Sequence, residues 1–278
     1  MAGSALMSGD LVSHGFIHAG IGRACGIRVV ATTRQAPGCS APPWQHSNLG
    51  LRCGDDPAVV QANRRRLVST LALPSQPVWL QQVHGTGVLE VARPLLRARP
   101  MAAEPVADAA LTRCPGAVLA VLSADCLPVV RTSRDGDALA LIHAGWRGLA
   151  AGVIEATLAA LAASGVAAGR LQAWLGPAIG AADYEIDAPV RAAFLAHDAA
   201  AAAAFRASRA GHWRCDLYAL VRQRLGRAGV TTVAGGHWST AADARRFHSH
   251  RRDGPASGRQ ATLAWIGSGA GDNPRPGT

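Results

Sequence analysis

Two apolar runs constrain this chain most. Segments 117–123 and 137–143 are each about one strand long and almost unbroken in apolar residues. A strand without polar alternation must be covered on both faces, so the sheets that carry these runs lie between other layers. At 278 residues the chain can bury such a core. Further strands are expected at 26–33 (a β-branched run before a turn-rich stretch), at 171–175, 231–234 and 261–266, and as two short extended runs within 77–91. Segment 56–73 reads as a helix because acidic residues and Pro57 open it. Helices are also expected at 149–163, closed by Gly165, at 189–210, and at 216–229, which has an acid at its start and a glycine at its end. These strands and helices do not alternate cleanly, which favours an α+β fold over a doubly wound sheet. No internal linker or repeat is visible. One domain spanning 13–267 is therefore expected, with frayed ends at 1–12 and 268–278.

Composition narrows the chemistry. All 28 basic side chains are arginine against 18 acids, for a formal charge of +10. Without lysine there can be no lysine Schiff base, no lysine general base and no Walker-type phosphate loop. The positive charge raises nucleic-acid binding. Yet the densest groups, Arg64-Arg65-Arg66, Arg245-Arg246 and Arg251-Arg252, are scattered, and 5% aromatic content supplies few stacking platforms. Both features argue against a nucleic-acid partner. The N-terminus lacks the basic and apolar regions of a secretory signal. No stretch of about twenty apolar residues is free of charge. A cytoplasmic chain without membrane association is expected, its six cysteines reduced and in no CxxC pair.

Three segments place metal-binding side chains at strand ends or glycine turns. His84 lies in Gln82-Val83-His84-Gly85, Cys126 follows the 117–123 run, and His143 ends the 137–143 run before Gly145 and Gly148. Two adjacent buried strands can bring Cys126 and His143 into one pocket. Two imidazoles and a thiolate suit zinc, and three protein ligands leave a fourth position open, as in catalytic sites. The same atoms allow another use, with Cys126 as nucleophile and His143 as base.

Several strings occur in order: QVHGTGV (82–88), ADAALT (107–112), LSADCLPV (122–129), IHAGWRGLAAGV (142–153), LGPAIG followed by YEI (175–186), and SHRRDG with GRQA (249–261). HGF (14–16), TTR (32–34), and NLG, GDD and NRRRL (48–67) precede them. Together they resemble the YfiH family of bacterial proteins, also called laccase-domain or peptidoglycan editing factor proteins, over nearly the whole chain. The resemblance implies one α+β domain of β-sheets sandwiched between helical layers, in α/β/β/α order. It also implies a metal held by His84, Cys126 and His143.

The activities implied are several. Family members resemble zinc-dependent purine nucleoside phosphorylases acting on adenosine, inosine, guanosine and methylthioadenosine, with adenosine deaminase activity. Copper-linked polyphenol oxidation and editing of peptidoglycan precursors, here through Cys126, are the alternatives. A multicopper laccase needs many histidines, largely as His-x-His pairs, and only His248-Ser249-His250 has that form. A zinc-activated water suits purine deamination. Asp125, beside Cys126, reads either as a proton carrier or as the residue that orients a turn. Phosphorolysis needs a cationic grip on inorganic phosphate. Arg147, at a helix start four residues from His143, is the first choice, followed by Arg251, Arg252 and Arg259. Trp146 is either a base-stacking face or a core residue. The chain departs from the family pattern at His250 (commonly tyrosine), at Ser239 (commonly cysteine), in a longer insert before Gly258, and in an irregular segment 32–40. His250 and the 235–240 loop are the departures expected to alter substrate preference.

Overall fold

The computed structural model describes residues 10–267. Strands there form a five-stranded antiparallel sheet in the order β1 (Leu11–Ser13), β2 (Phe16–His18), β3 (Ile27–Thr32), β14 (Gln260–Ile266) and β6 (Leu119–Ser123). A six-stranded sheet has the order β13 (Val233–Gly235), β9 (Leu171–Leu175), β7 (Leu127–Ser133), β8 (Leu139–Ala144), β5 (Ala109–Thr112) and β4 (Val88–Glu90). Its outermost pairs are parallel and the inner ones antiparallel. A small third sheet joins β10 (Glu185–Asp187), β12 (His212–Cys215) and β11 (Phe205–Ala207).

The two large sheets face each other. Val29 and Ala31 of β3 and Leu119 and Val121 of β6 share one buried cluster with Val130 of β7, Leu141 of β8 and Trp174 of β9. The far side of the six-stranded sheet is covered by α2 (Trp146–Ala151), α3 (Val153–Ala163), α4 (Ala188–Leu195) and α5 (Leu217–Arg227), whose Ile154, Leu161, Val221 and Leu225 pack with Val129 and Ile142. Helix α1 (Pro57–Thr70) covers the five-stranded sheet, with Leu67 against Val30, Ala120 and Leu263. The fold is mixed α+β with helix, sheet, sheet and helix layers, as double-sided burial of 117–123 and 137–143 demands. A last short helix, α6 (His250–Asp253), precedes β14.

Local chemistry sets most boundaries. Asp56 accepts the Ala58 N–H and Pro57 opens α1; Asp216 accepts the Ala219 N–H at the start of α5. Four expectations are corrected. The single helix at 149–163 is two, because Gly152 takes φ +98°, a left-handed conformation that ends α2 before α3 begins. The helix at 189–210 stops at Leu195. After a 3-10 turn at Ala199–Ala204 the chain extends, since Phe205 gains burial by pairing with Cys215 of β12 and packing on Phe194. Strand β7 was not anticipated, because Pro128 and Arg131 interrupt its apolar pattern, although every residue in it is buried. Residues 10–12 are not frayed: Leu11 and Val12 pair with β2, and the Asp10 carboxylate accepts the Trp174 indole N–H at 3.1 Å. The rest of the segments expected to fray, 1–9 and 268–278, lies outside the described residues. No described helix is long and apolar enough to cross a membrane.

Candidate metal centre

Strands β6 and β8, the two runs expected to be neighbours, belong to different sheets. The chain crosses from one sheet to the other through 124–126, so Cys126 sits immediately before β7. It is β7 that pairs with β8, setting Pro128 opposite His143 and bringing Cys126 and His143 to one end of the six-stranded sheet. Asp125 turns the corner with φ +86°. A non-glycine residue there costs on the order of 1–2 kcal/mol. Two hydrogen bonds offset that cost: Asp125 Oδ1 accepts from Thr240 Oγ1 and Oδ2 from the Arg251 N–H, both at 2.6 Å.

His84 comes from the loop before β4. Gln82 ties this loop to β6, accepting the Leu122 N–H and donating to the Leu122 carbonyl, each at 2.8 Å. Asp108, fully buried just before β5, does more. Its carboxylate accepts the backbone N–H groups of Val83 (3.2 Å), His84 (2.9 Å) and Gly85 (2.6 Å), and pairs with His143 Nδ1 at 2.9 Å. One carboxylate thus holds the His84 loop, in which His84 itself has φ +60°, and also orients the His143 ring. An ionised carboxylate only accepts, so Nδ1 carries the proton and Nε2 is left as a ligand atom.

The ligand atoms of His84, Cys126 and His143 all lie within 4.8 Å of one another. Cys126 Sγ is 3.7 Å from His84 Nε2, and the two imidazoles meet edge to face with centroids 4.8 Å apart. Gly145 makes the convergence possible. A Cβ there would stand 2.6 Å from His84 Cδ2 and 3.0 Å from Cys126 Sγ. One sulfur and two imidazole nitrogens fit a borderline-soft ion such as zinc, with room for a further ligand. Burial is the largest influence on the Cys126 thiol and pushes its pKa up, but His143 and His84 together outweigh it and bring it down. On His143 burial pushes down, and the Cys126 thiolate and Asp108 reverse the shift upward. The group therefore favours thiolate beside imidazolium, the charge distribution a cation replaces by displacing a proton.

Above these residues opens a cleft of about 470 Å³. Three of the four nominated arginines, Arg147, Arg251 and Arg259, line it, and Asp125 and His250 do too. Arg252 does not: its guanidinium donates to the carbonyls of Thr240, Ala241 and Phe247, bracing the segment behind the cleft. Arg147 extends over the Trp146 ring, 4.5 Å from its centroid. Arg251 donates to the Glu185 carbonyl at 2.7 Å and lies over Tyr184. Ser239 lies outside the lining and acts indirectly, donating to Asp183 at 2.6 Å and accepting the Gly180 N–H. Sequence reasoning gave no role to Asp108, Arg52 or Tyr184. For Asp108 the ADAALT string marks an acid before a strand of small residues but does not tell whether that acid is buried.

Among the described residues, His84, Cys126 and His143 make the one group of three or more potential ligands with this proximity. The His-x-His pair does not add a second: His248 is buried against Gly258 while His250 faces the cleft. Residues 28–267 match the family described as multi-copper polyphenol oxidoreductase laccase. A Xylella fastidiosa protein named purine nucleoside phosphorylase is 53% identical over 248 residues, covering 87% of this chain and 93% of the relative. The Escherichia coli purine nucleoside phosphorylase YfiH is 44% identical over 241 residues, covering 87% and 94%. The crystal structure of a Neisseria meningitidis protein of family DUF152 superposes with a TM-score of 0.83 at 38% identity, covering 91% of this chain and 100% of that one. By motif order, fold and relatedness along most of its length, the chain belongs to the YfiH family.

Proposed function

We propose that this chain is a zinc-dependent purine nucleoside phosphorylase with adenosine deaminase activity, accepting adenosine, inosine, guanosine and methylthioadenosine. The observation that carries the reading is the convergence of His84, Cys126 and His143 at a cleft with aromatic and guanidinium walls. The name shared by the relatives supports the substrate class. When bound, zinc supplies a Lewis acid that polarises a substrate oxygen or lowers the pKa of a water.

The side chains of the cleft do the rest. Tyr184 and Trp146, with Ile179 and Leu51, offer flat and apolar surface to a purine. Arg147 has no carboxylate partner among the described residues, so its planar donors are free to hold inorganic phosphate in bidentate fashion, with Arg251 beside the same cleft. In phosphorolysis a phosphate oxygen bonds the anomeric carbon as the glycosidic bond breaks. The electron pair leaves with the base, which takes up a proton. In deamination water adds to the ring carbon that bears the amino group and ammonia departs. Asp125 has both carboxylate oxygens committed, so it orients Cys126 and the start of α6 rather than exchanging protons. We assign the reaction to the cytoplasm, where nucleosides and reduced thiols coexist.

Purified protein incubated with adenosine and phosphate should yield inosine, adenine and ribose 1-phosphate, and chelation should stop this until zinc is restored. Absence of product above the metal-stripped control would sink the reading. A second reading, hydrolysis of a peptidoglycan precursor by Cys126 as nucleophile, draws on the lowered pKa of its thiol. A Cys126→Ser variant that retains zinc but loses hydrolysis of such a precursor would favour it.

A further inference from the structure

Phosphorolysis of a neutral nucleoside needs one anion, inorganic phosphate, yet the cleft carries more positive charge than one anion uses. Beyond Arg147 and Arg251, it is lined by Arg52 and Arg259. These come from distant parts of the chain and are built into one wall. The Arg259 N–H donates to Asn48 Oδ1 at 2.9 Å and its carbonyl accepts the Leu49 N–H at 3.0 Å. Gly50 packs so close that a Cβ there would lie 2.6 Å from Arg259 Cγ.

The charge on this wall is not neutralised. Arg52 and Arg64 share a single carboxylate, Glu104, at 2.9 Å and 2.8 Å, which leaves one positive charge over. Arg259 donates through Nη1 to the carbonyls of Ser257 and Gly258 and forms no ion pair among the described residues. The only carboxylate among the residues lining the cleft is Asp125; it accepts from Thr240 Oγ1 and the Arg251 backbone N–H and forms no ion pair with Arg52 or Arg259. Two guanidiniums with spare donors on one wall match the oxygens of a phosphate monoester. The cleft volume, about 470 Å³, lies within the range of pockets that enclose small ligands.

We propose that Arg52 and Arg259 form a second anion subsite, distinct from the one for inorganic phosphate, so that the enzyme takes nucleoside 5′-monophosphates as well as nucleosides. The inference rests on the purine reading above and specifies its substrate class. Calorimetric titration of the metal-stripped chain, in which neither reaction proceeds, with adenosine and with adenosine 5′-monophosphate tests it without turnover. The monophosphate should bind about tenfold or more tighter than adenosine, as charge-assisted hydrogen bonds imply. That advantage should survive saturating inorganic phosphate. It should shrink several-fold in Arg52→Gln and in Arg259→Gln, with adenosine affinity as the internal reference. Arg52 is 44% exposed, so its variant decides the matter should Arg259→Gln fail to fold.

Equal affinity for the two ligands overturns the second subsite while leaving the purine reading standing. So does loss of the advantage in saturating phosphate, or an advantage unchanged in Arg52→Gln. If neither ligand binds, the purine reading falls and this inference falls with it.

Discussion

Replacing Asp108 by asparagine tests how the centre is held. The substitution preserves size but turns one acceptor oxygen into an NH2 donor. Oδ1 serves His84 N–H and His143 Nδ1–H, and Oδ2 serves Val83 and Gly85 N–H. Whichever way the amide turns, two donors meet a donor in a fully buried place. Losing two charge-assisted bonds at about 1.5–3 kcal/mol each gives a loss of about 3–6 kcal/mol, readable by urea unfolding of the metal-free protein. Zinc affinity, measured by competition with a chromophoric chelator, should fall about 10–100-fold, as for other partners of metal-ligating histidines. Leu161→Ala, in the core of α3 and away from the centre, should cost about 2–5 kcal/mol while leaving zinc affinity intact. There is also a pH signature. Burial is the largest influence on the Asp108 carboxyl and pushes its pKa up, but the bonds from His143 and the 83–85 loop outweigh it and hold the pKa below the ordinary 3.8. Its stabilisation is then present above that value and is lost as pH falls through the lowered one. Asp108→Asn should lack this acid limb. Wild-type zinc affinity in Asp108→Asn, alongside the loss in stability, would refute the assignment of Asp108 as the residue that orients both histidines.

Three other outcomes are expected. Gly145→Ala puts a methyl 2.6 Å from the His84 ring, so zinc affinity should drop at least tenfold; unchanged metal content after dialysis against chelator would contradict this. Arg147→Gln should raise the KM for phosphate about tenfold or more, whereas Arg252→Ala should lower the unfolding midpoint and leave that KM within about twofold. The reverse pattern would show that the two arginines are misassigned. Burial holds His248 neutral, with its pKa lowered to about 3. Because the unfolded chain takes up a proton where the native one does not, stability should be full above pH 6.5 and decline towards pH 3 by up to about 1.4 kcal/mol per unit. His248→Gln should flatten that slope in denaturant titrations across the window, and an identical slope in both proteins would count against it.

Much of the architecture was legible because it follows from local pattern. Strands β3, β6, β8, β9 and β14 and helices α1 and α5 lie where apolar runs, caps and terminal glycines put them. The misreadings have one physical origin, tertiary context overriding local preference. Pro128 and Arg131 spoil the pattern of β7, yet the strand is enclosed between β8 and β9. The alanines before Phe205 favour helix, yet by leaving it the aromatic ring packs on Phe194 and becomes half-buried. At the site, His84, Cys126 and His143 could be nominated by ligand chemistry and by family motifs. Asp108 could not, because an aspartate before a strand looks the same whether it faces solvent or accepts four hydrogen bonds.

By itself, the sequence determined that two strands must be covered on both faces and that any cationic side chain offered to an anion is a guanidinium rather than an ammonium, and it nominated three side chains as metal ligands. Only the tertiary structure decided that these three converge. Their separation along the chain is 42 residues and then 17, and no local spacing relates them. The convergence depends on a crossover between two sheets at 124–126, on the register that sets Pro128 against His143, and on one buried carboxylate that ties the His84 loop to the His143 ring of β8. The same holds for the arginines. Their shared residue type says nothing of which one braces a backbone segment, as Arg252 does, and which ones face the cleft, as Arg52, Arg147 and Arg259 do. That division is made by which carbonyls and carboxylates the fold leaves within reach of each guanidinium.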